Sequence, residues 1–236
     1  MNSRQDQLAI FNAQTQNVRE LERAWKATQR TINARLARGD FGNALLHTKI
    51  QALILCALSE AWFSKLIHTP YGFQLQEIVQ IKEAARTNIK DAWIKCLELG
   101  LRKIESSPKS SYVPNTRQAV EKLIEKYVAE SALLRNKVAH GQWVRALNRE
   151  HTAINKDVSQ QLADLDTVQL GRVKEGLNGL CAIVESLIES PDRTFHRDYW
   201  VIVAETNAKL DDMETWTLQA KVKFLQLKTS YVSRRH

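Results

Sequence analysis

The sequence predicts an all-α fold, and three observations predict it. Apolar residues recur at three- and four-residue spacing through most of the chain, the period of a helix with one buried face. Eight Gly and four Pro in 236 residues are few, which suits long helices with few turns. No alternation of strand-like and helix-like segments announces a parallel sheet. Helices joined by short loops make a bundle, expected as a single domain over residues 1–236.

The first helix is expected from about Arg4 to Arg38, with sparse apolar positions (Leu8, Phe11, Val18, Trp25, Ile32, Leu36), and "ARGDFG" ends it. The second, about Gly42 to Ile67, is apolar on nearly all sides, as a central bundle helix should be. "HTPYG" breaks the chain. The third, about Leu75 to Ile104, carries Ile78, Ile81, Ala85, Ile89, Trp93 and Cys96 in helical phase. "ESSPKSSYVPN" is a loop, and Asn115 is placed as an N-cap with Gln118 three residues on. A fourth helix then runs to about Ala139. From Gln142 the helical period is lost. Trp143, Val144, Leu147 and Ile154 suit a short β-hairpin turned at "NREH", or an irregular excursion. Helix returns near Asp164 and continues to Pro191. Two more stretches, Phe195 to about Met213 and Leu218 to Tyr231, are C-terminal additions.

A net charge of +8 and a pI of about 9.4 suit a polyanionic partner such as nucleic acid, and equally a basic surface kept soluble by its charge. Three widely spaced cysteines, Cys56, Cys96 and Cys181, with no CxxC pair, read as reduced core thiols of a cytoplasmic protein. The N-terminus lacks an apolar h-region, so no signal peptide is expected. The most apolar run, "IQALILCALSEAWF", is too short to span a bilayer and contains Glu60, so no membrane partner is expected. The six histidines show no HExxH or paired ligand spacing, and no metal or cofactor is expected. P-loop, dinucleotide-loop and GxSxG signatures are absent.

Polar residues crowd one place, "RNKVAHGQW", Arg135 to Trp143, where the fourth helix ends. Gly141 with basic residues before it fits a helix C-cap. On a regular helix Ile124, Val128, Ser131, Arg135 and Val138 share a row, which sets Arg135 on the core side. Leu53, Cys56, Glu60, Phe63 and Ile67 form a row on the second helix, which sets Glu60 in an apolar stripe. An arginine and a carboxylate so placed would satisfy one another, as an orienting pair or as an ion pair that only fixes register. His140 lies five residues after Arg135, about 140° and about 7.5 Å away on a continuous helix. Both reach one substrate only if the helix ends between them or if two copies face each other across a two-fold axis.

These residue types suit phosphate chemistry on RNA. Histidine is the natural acid–base group near neutral pH. Arginine stabilises the charge that develops on a pentacovalent phosphate. Asn136 can hold a phosphate oxygen or ribose hydroxyl, and RNA supplies its own 2′-OH nucleophile. Lys137 is a candidate phosphate contact, and Trp143 a candidate stacking platform for a base.

Arg135, Asn136 and His140, an Arg followed by a polar residue and a His within four to six positions at a helix end, resemble the R-x4-6-H motif of the HEPN superfamily. The resemblance covers about residues 42–190 and leaves the first helix and the chain after Pro191 unexplained. It implies a helical bundle that dimerises through the motif helices. It also implies metal-independent endoribonuclease activity with Arg135, Asn136 and His140 as the site, in a toxin–antitoxin, abortive-infection or other antiviral system with an antitoxin or defence partner. The competing expectation is a non-catalytic helical nucleic-acid-binding or adaptor module, in which His140 only ends a helix.

Overall fold

The computed structural model describes residues 3–104, 113–129, 137–148, 150–189 and 199–233. Within them the chain is all-α apart from one two-stranded ribbon. Helix α1 (Arg4–Ala37) opens on a capping box, in which the Ser3 hydroxyl accepts from the Asp6 amide and the Asp6 carboxylate accepts from the Ser3 amide. It turns back into α2 (Phe41–Ile67) through Gly39, whose φ of 73° is the left-handed value that glycine adopts most easily. The Gly39 and Asp40 amides donate to the Leu36 and Arg35 carbonyls, closing a Schellman cap. Asp40 then caps α2 by accepting from the Asn43 amide.

The expected third helix is two. Asn88 takes an extended conformation, ends α3 (Leu75–Thr87), and accepts the Asp91 amide at 2.8 Å to start α4 (Ile89–Arg102). The apolar phase runs on across this break, which is why the sequence reads as one helix. Helix α5 (Val113–Ile124) begins two residues before Asn115, so Asn115 lies inside it and is not its cap. Pro114 fits the first turn, where its missing N–H would have had no helical partner. The helix then widens into a π-helical segment, Glu125–Ala129. That segment breaks the regular row drawn from Ile124 to Val138, since i→i+5 bonding takes an extra residue per turn. Ile124, Val128 and Val138 are buried, while Ser131 and Arg135 fall outside the described residues.

The expected hairpin is present. Strands β1 (Ala146–Leu147) and β2 (Ile154–Asn155) pair antiparallel, Ala146 opposite Asn155 and Leu147 opposite Ile154. Asn148 organises the turn, its side-chain oxygen accepting the Thr152 and Ala153 amides. A short helix unforeseen in the sequence follows, α6 (Lys156–Ala163), capped by Asn155 and carrying Asp157 in its first turn. Then come α7 (Thr167–Glu189), α8 (Tyr199–Glu214) and α9 (Leu218–Ser233).

Helix α7 is the hub, packed against α2, α4, α5, the π-helical segment and α8. Its glycines make this possible. A Cβ on Gly176 would lie 2.4 Å from the Tyr127 ring, and one on Gly179 would lie 2.4 Å from Thr206. Helix α2 buries twelve residues, among them Lys49 and Gln51. As a whole, Phe41–Ile67 is long and apolar enough to cross a membrane by length and composition. Here it serves as a core helix against α1 and α7. Buried Gln51 donates to Gln29 at 2.9 Å, and the Thr167 hydroxyl lies 2.9 Å from Gln51 Oε1 and 3.0 Å from Gln29 Oε1. This polar trio fixes α1, α2 and α7 to one another, and its satisfied bonds keep it from being a cost. The Lys174 ammonium sits over two indoles, 5.1 Å from the Trp62 centroid and 5.9 Å from that of Trp25. A satellite core of Ile32, Leu36 and Ala44 holds Leu218, Val222 and Leu225 of α9.

Candidate functional site

The helical turn Lys137–Ala139 ends in a second Schellman cap. Gly141 has φ 76°, its amide donates to the Val138 carbonyl at 3.2 Å, and the Gln142 amide donates to the Lys137 carbonyl at 2.9 Å. A Cβ at Gly141 would meet nothing within 4 Å, so backbone conformation alone calls for glycine. His140 is the cap residue and is exposed.

The chain after the cap is clamped from several sides. Buried Lys49, on α2, donates from Nζ to the Trp143 carbonyl. The Trp143 indole N–H donates to the Val138 carbonyl at 2.9 Å, and its ring packs on the main core. Gln142 Oε1 accepts the Leu147 amide at 2.7 Å, and the Ser159 hydroxyl accepts the Ala146 amide at 2.9 Å. Lys137 Nζ donates to the Leu147 carbonyl. The side chains expected to meet RNA, Lys137 and Trp143, are thus engaged in fixing the cap to the hairpin. Val144, 73% exposed, and Arg145 are exposed four and five residues after His140. Arg145 is an exposed cation at the site that the expected residues do not include, and its sequence signal is a cation five residues beyond the histidine.

The structure does not place Glu60 in an apolar stripe. Glu60 is exposed and borders a groove between α1 and α2 with Gln14, Asn17 and Ser64. The buried row of α2 runs through Leu55, Leu58, Trp62 and Leu66. The row through Leu53, Cys56, Glu60, Phe63 and Ile67 is buried only at its C-terminal end, at Phe63 and Ile67, and Glu60 stands on its exposed part, because a helix apolar on nearly every side gives a wheel no phase. Glu60 also lies eleven residues from Lys49, about 16 Å along the axis from the point where α2 holds the cap. Arg135 and Asn136 lie outside the described residues, so their expected meeting with His140, and that of Arg135 with Glu60, lies there too.

Two of the three thiols, Cys96 and Cys181, are poor nucleophiles. Burial pushes the Cys96 thiol well up and that of Cys181 up to about 12, so both stay protonated. Among the described residues no three His, Cys, Asp or Glu side chains gather as a metal site. No family model, curated protein or solved structure matches the chain.

Proposed function

We propose that the chain is an endoribonuclease of the HEPN type that cuts RNA without a metal by attack of the ribose 2′-OH on the adjacent phosphate. The observation that carries this reading is an exposed histidine, His140, on a clamped helix end, five residues after Arg135 and four after Asn136 in sequence. A fixed platform holds an acid–base group in one geometry, which positioned catalysis requires. In this reading His140 moves the proton, Arg135 stabilises the phosphorane and Asn136 holds the scissile phosphate. A two-fold dimer would bring two copies of the site together. A cytoplasmic toxin or antiviral effector, held in check by an antitoxin or defence partner, is the setting this activity fits.

The test is incubation of the purified protein with total tRNA and messenger RNA in EDTA, with His140→Ala beside it. Cleavage should leave 2′,3′-cyclic phosphate ends, spare DNA and vanish in the variant. Metal-dependent cutting, cleavage of DNA or an unaffected variant would refute the mechanism. One observation favours a second reading, a helical module that binds without cutting: the Schellman cap accounts for Gly141 with no chemistry at all. Absence of cleavage on every RNA tested would select it.

A further inference from the structure

The net charge of the chain is concentrated on two helices that pack together. From Arg19 to Arg38, α1 and its cap hold six basic and two acidic residues, and α9 holds three lysines and no acid. These stretches therefore carry +7 of a whole-chain +8, and the rest of the molecule is close to neutral. Arg19, Arg23, Lys26 and Arg30 follow one another at four-, three- and four-residue spacing, so they form one exposed stripe along α1. On α9 the residues Leu218, Val222 and Leu225 take the satellite core. A neighbouring stripe of Lys221, Phe224 and Lys228 is left for another surface.

Between these helices, closed at its base by α7, lies a cleft of about 940 Å³. Lys26, Lys221, Trp216 and Phe224 line it. Trp216 is 49% exposed and Phe224 is 65% exposed, unusual for large aromatics beside so many cations. The cleft's acids are already neutralised: Glu22 pairs with Lys174 at 3.1 Å and Glu175 with Lys209 at 2.5 Å. Exposed Lys26 makes no ion pair among the described residues. Burial pushes the Lys221 ammonium down from its ordinary range while Asp166 pulls it the other way, so an arriving anion would relieve a strained charge.

We infer that this cleft between α1 and α9 binds single-stranded RNA, with Trp216 and Phe224 stacking on bases and Lys26, Lys221 and the α1 stripe following the phosphates. Open aromatic faces set among cations match the repeating base and phosphate of a single strand, whereas an acidic peptide supplies the charge without a regular series of flat rings. A duplex hides the base faces that those rings would meet. The purpose of such a grip rests on the ribonuclease reading; the binding itself does not.

The experiment is fluorescence anisotropy of a labelled oligouridylate, about 12 nucleotides long, titrated in EDTA with full-length protein carrying His140→Ala so that the probe stays intact. Trp216→Ala with Phe224→Ala should weaken binding roughly 10-fold or more while the thermal melt is unchanged. Lys26→Gln, at an exposed position, should lower the salt slope by about 0.7. Duplex RNA and polyglutamate should compete poorly. Unchanged affinity in the aromatic variant, no binding of the probe, or equal competition by polyglutamate would overturn the assignment, the last marking the face as a dock for acidic protein. Binding without any cleavage by the unsubstituted protein would leave this inference standing and remove the ribonuclease reading. Cleavage without cleft-dependent binding would do the reverse.

Discussion

Two helices of this molecule end in the same way. "RLARGD" closes α1 and "KVAHGQ" closes the motif turn, each with a left-handed glycine and the same pair of amide-to-carbonyl bonds. Around the Gly39 cap the chain enters α2 at once, and the side chains nearby complete only local geometry, with Arg35 on Asp40 at 3.1 Å. Around the Gly141 cap the structure adds Lys49 from α2, Ser159 from α6, and the Trp143 and Gln142 side chains. A cap needs none of these. The difference teaches that the glycine is explained by backbone alone, and that the surplus rigidity at the second cap serves the loop that carries His140.

The strongest way to break this comparison is to remove the two cap side chains in parallel. His140→Ala should cut RNA cleavage by about 10²–10⁴-fold, and Arg38→Ala should leave it unchanged, measured as initial rates on one RNA. Equal effects would reduce His140 to a cap residue. Next, Lys49→Met should destabilise the fold by about 1–3 kcal/mol in urea unfolding, because the Trp143 carbonyl loses its charged donor. A neutral result would show the clamp to be dispensable. Gly39→Ala and Gly141→Ala should each cost about 1 kcal/mol, since both sites demand a positive φ and neither meets a neighbour within 4 Å. A clearly larger loss at Gly141 would reveal a contact beyond the cap.

The smallest effects are in acid. Burial holds His68 below its ordinary 6.5, with its Nδ1 donating to the Ser64 carbonyl and Nε2 without a partner. Its folded pKa is depressed, so the stability it lends is present above 6.5 and is lost as pH falls below that. Asp40, held below 3.8 chiefly by Asn43, adds a second loss further down. His68→Gln should flatten the first step of a melting-temperature profile, and a profile identical to the unsubstituted protein would remove His68 as its source.

Much of the bundle was legible because long amphipathic helices announce themselves by period. The ends of α1 and α2, the hairpin, and the last two helices stand close to where their patterns and turn residues put them. What escaped was local. Asn88 divides α3 from α4 through one extended residue, and α6 is too short to establish a period against the strand-like residues before it. At the site, glycine and helix end were legible because φ is written into residue type. The environment of Glu60 was not, because burial depends on which neighbour covers which face of α2. The cleft of α1 and α9 was hidden for the same reason: its charges lie at opposite ends of the chain.

The lysine held between Trp25 and Trp62 has an optical consequence. Three of the six tryptophans, Trp25, Trp62 and Trp93, are buried, whereas Trp200 and Trp216 are exposed. Emission should therefore divide into a blue, quencher-resistant part and a red part open to acrylamide. The ammonium of Lys174 lies over two of the buried indoles at once and should perturb the emission of both. Replacing it with Met should shift the blue part alone, while a ligand stacking on Trp216 should quench the red part alone. One emission spectrum can thus follow the seating of α7 on the first two helices and the filling of the cleft as separate colours.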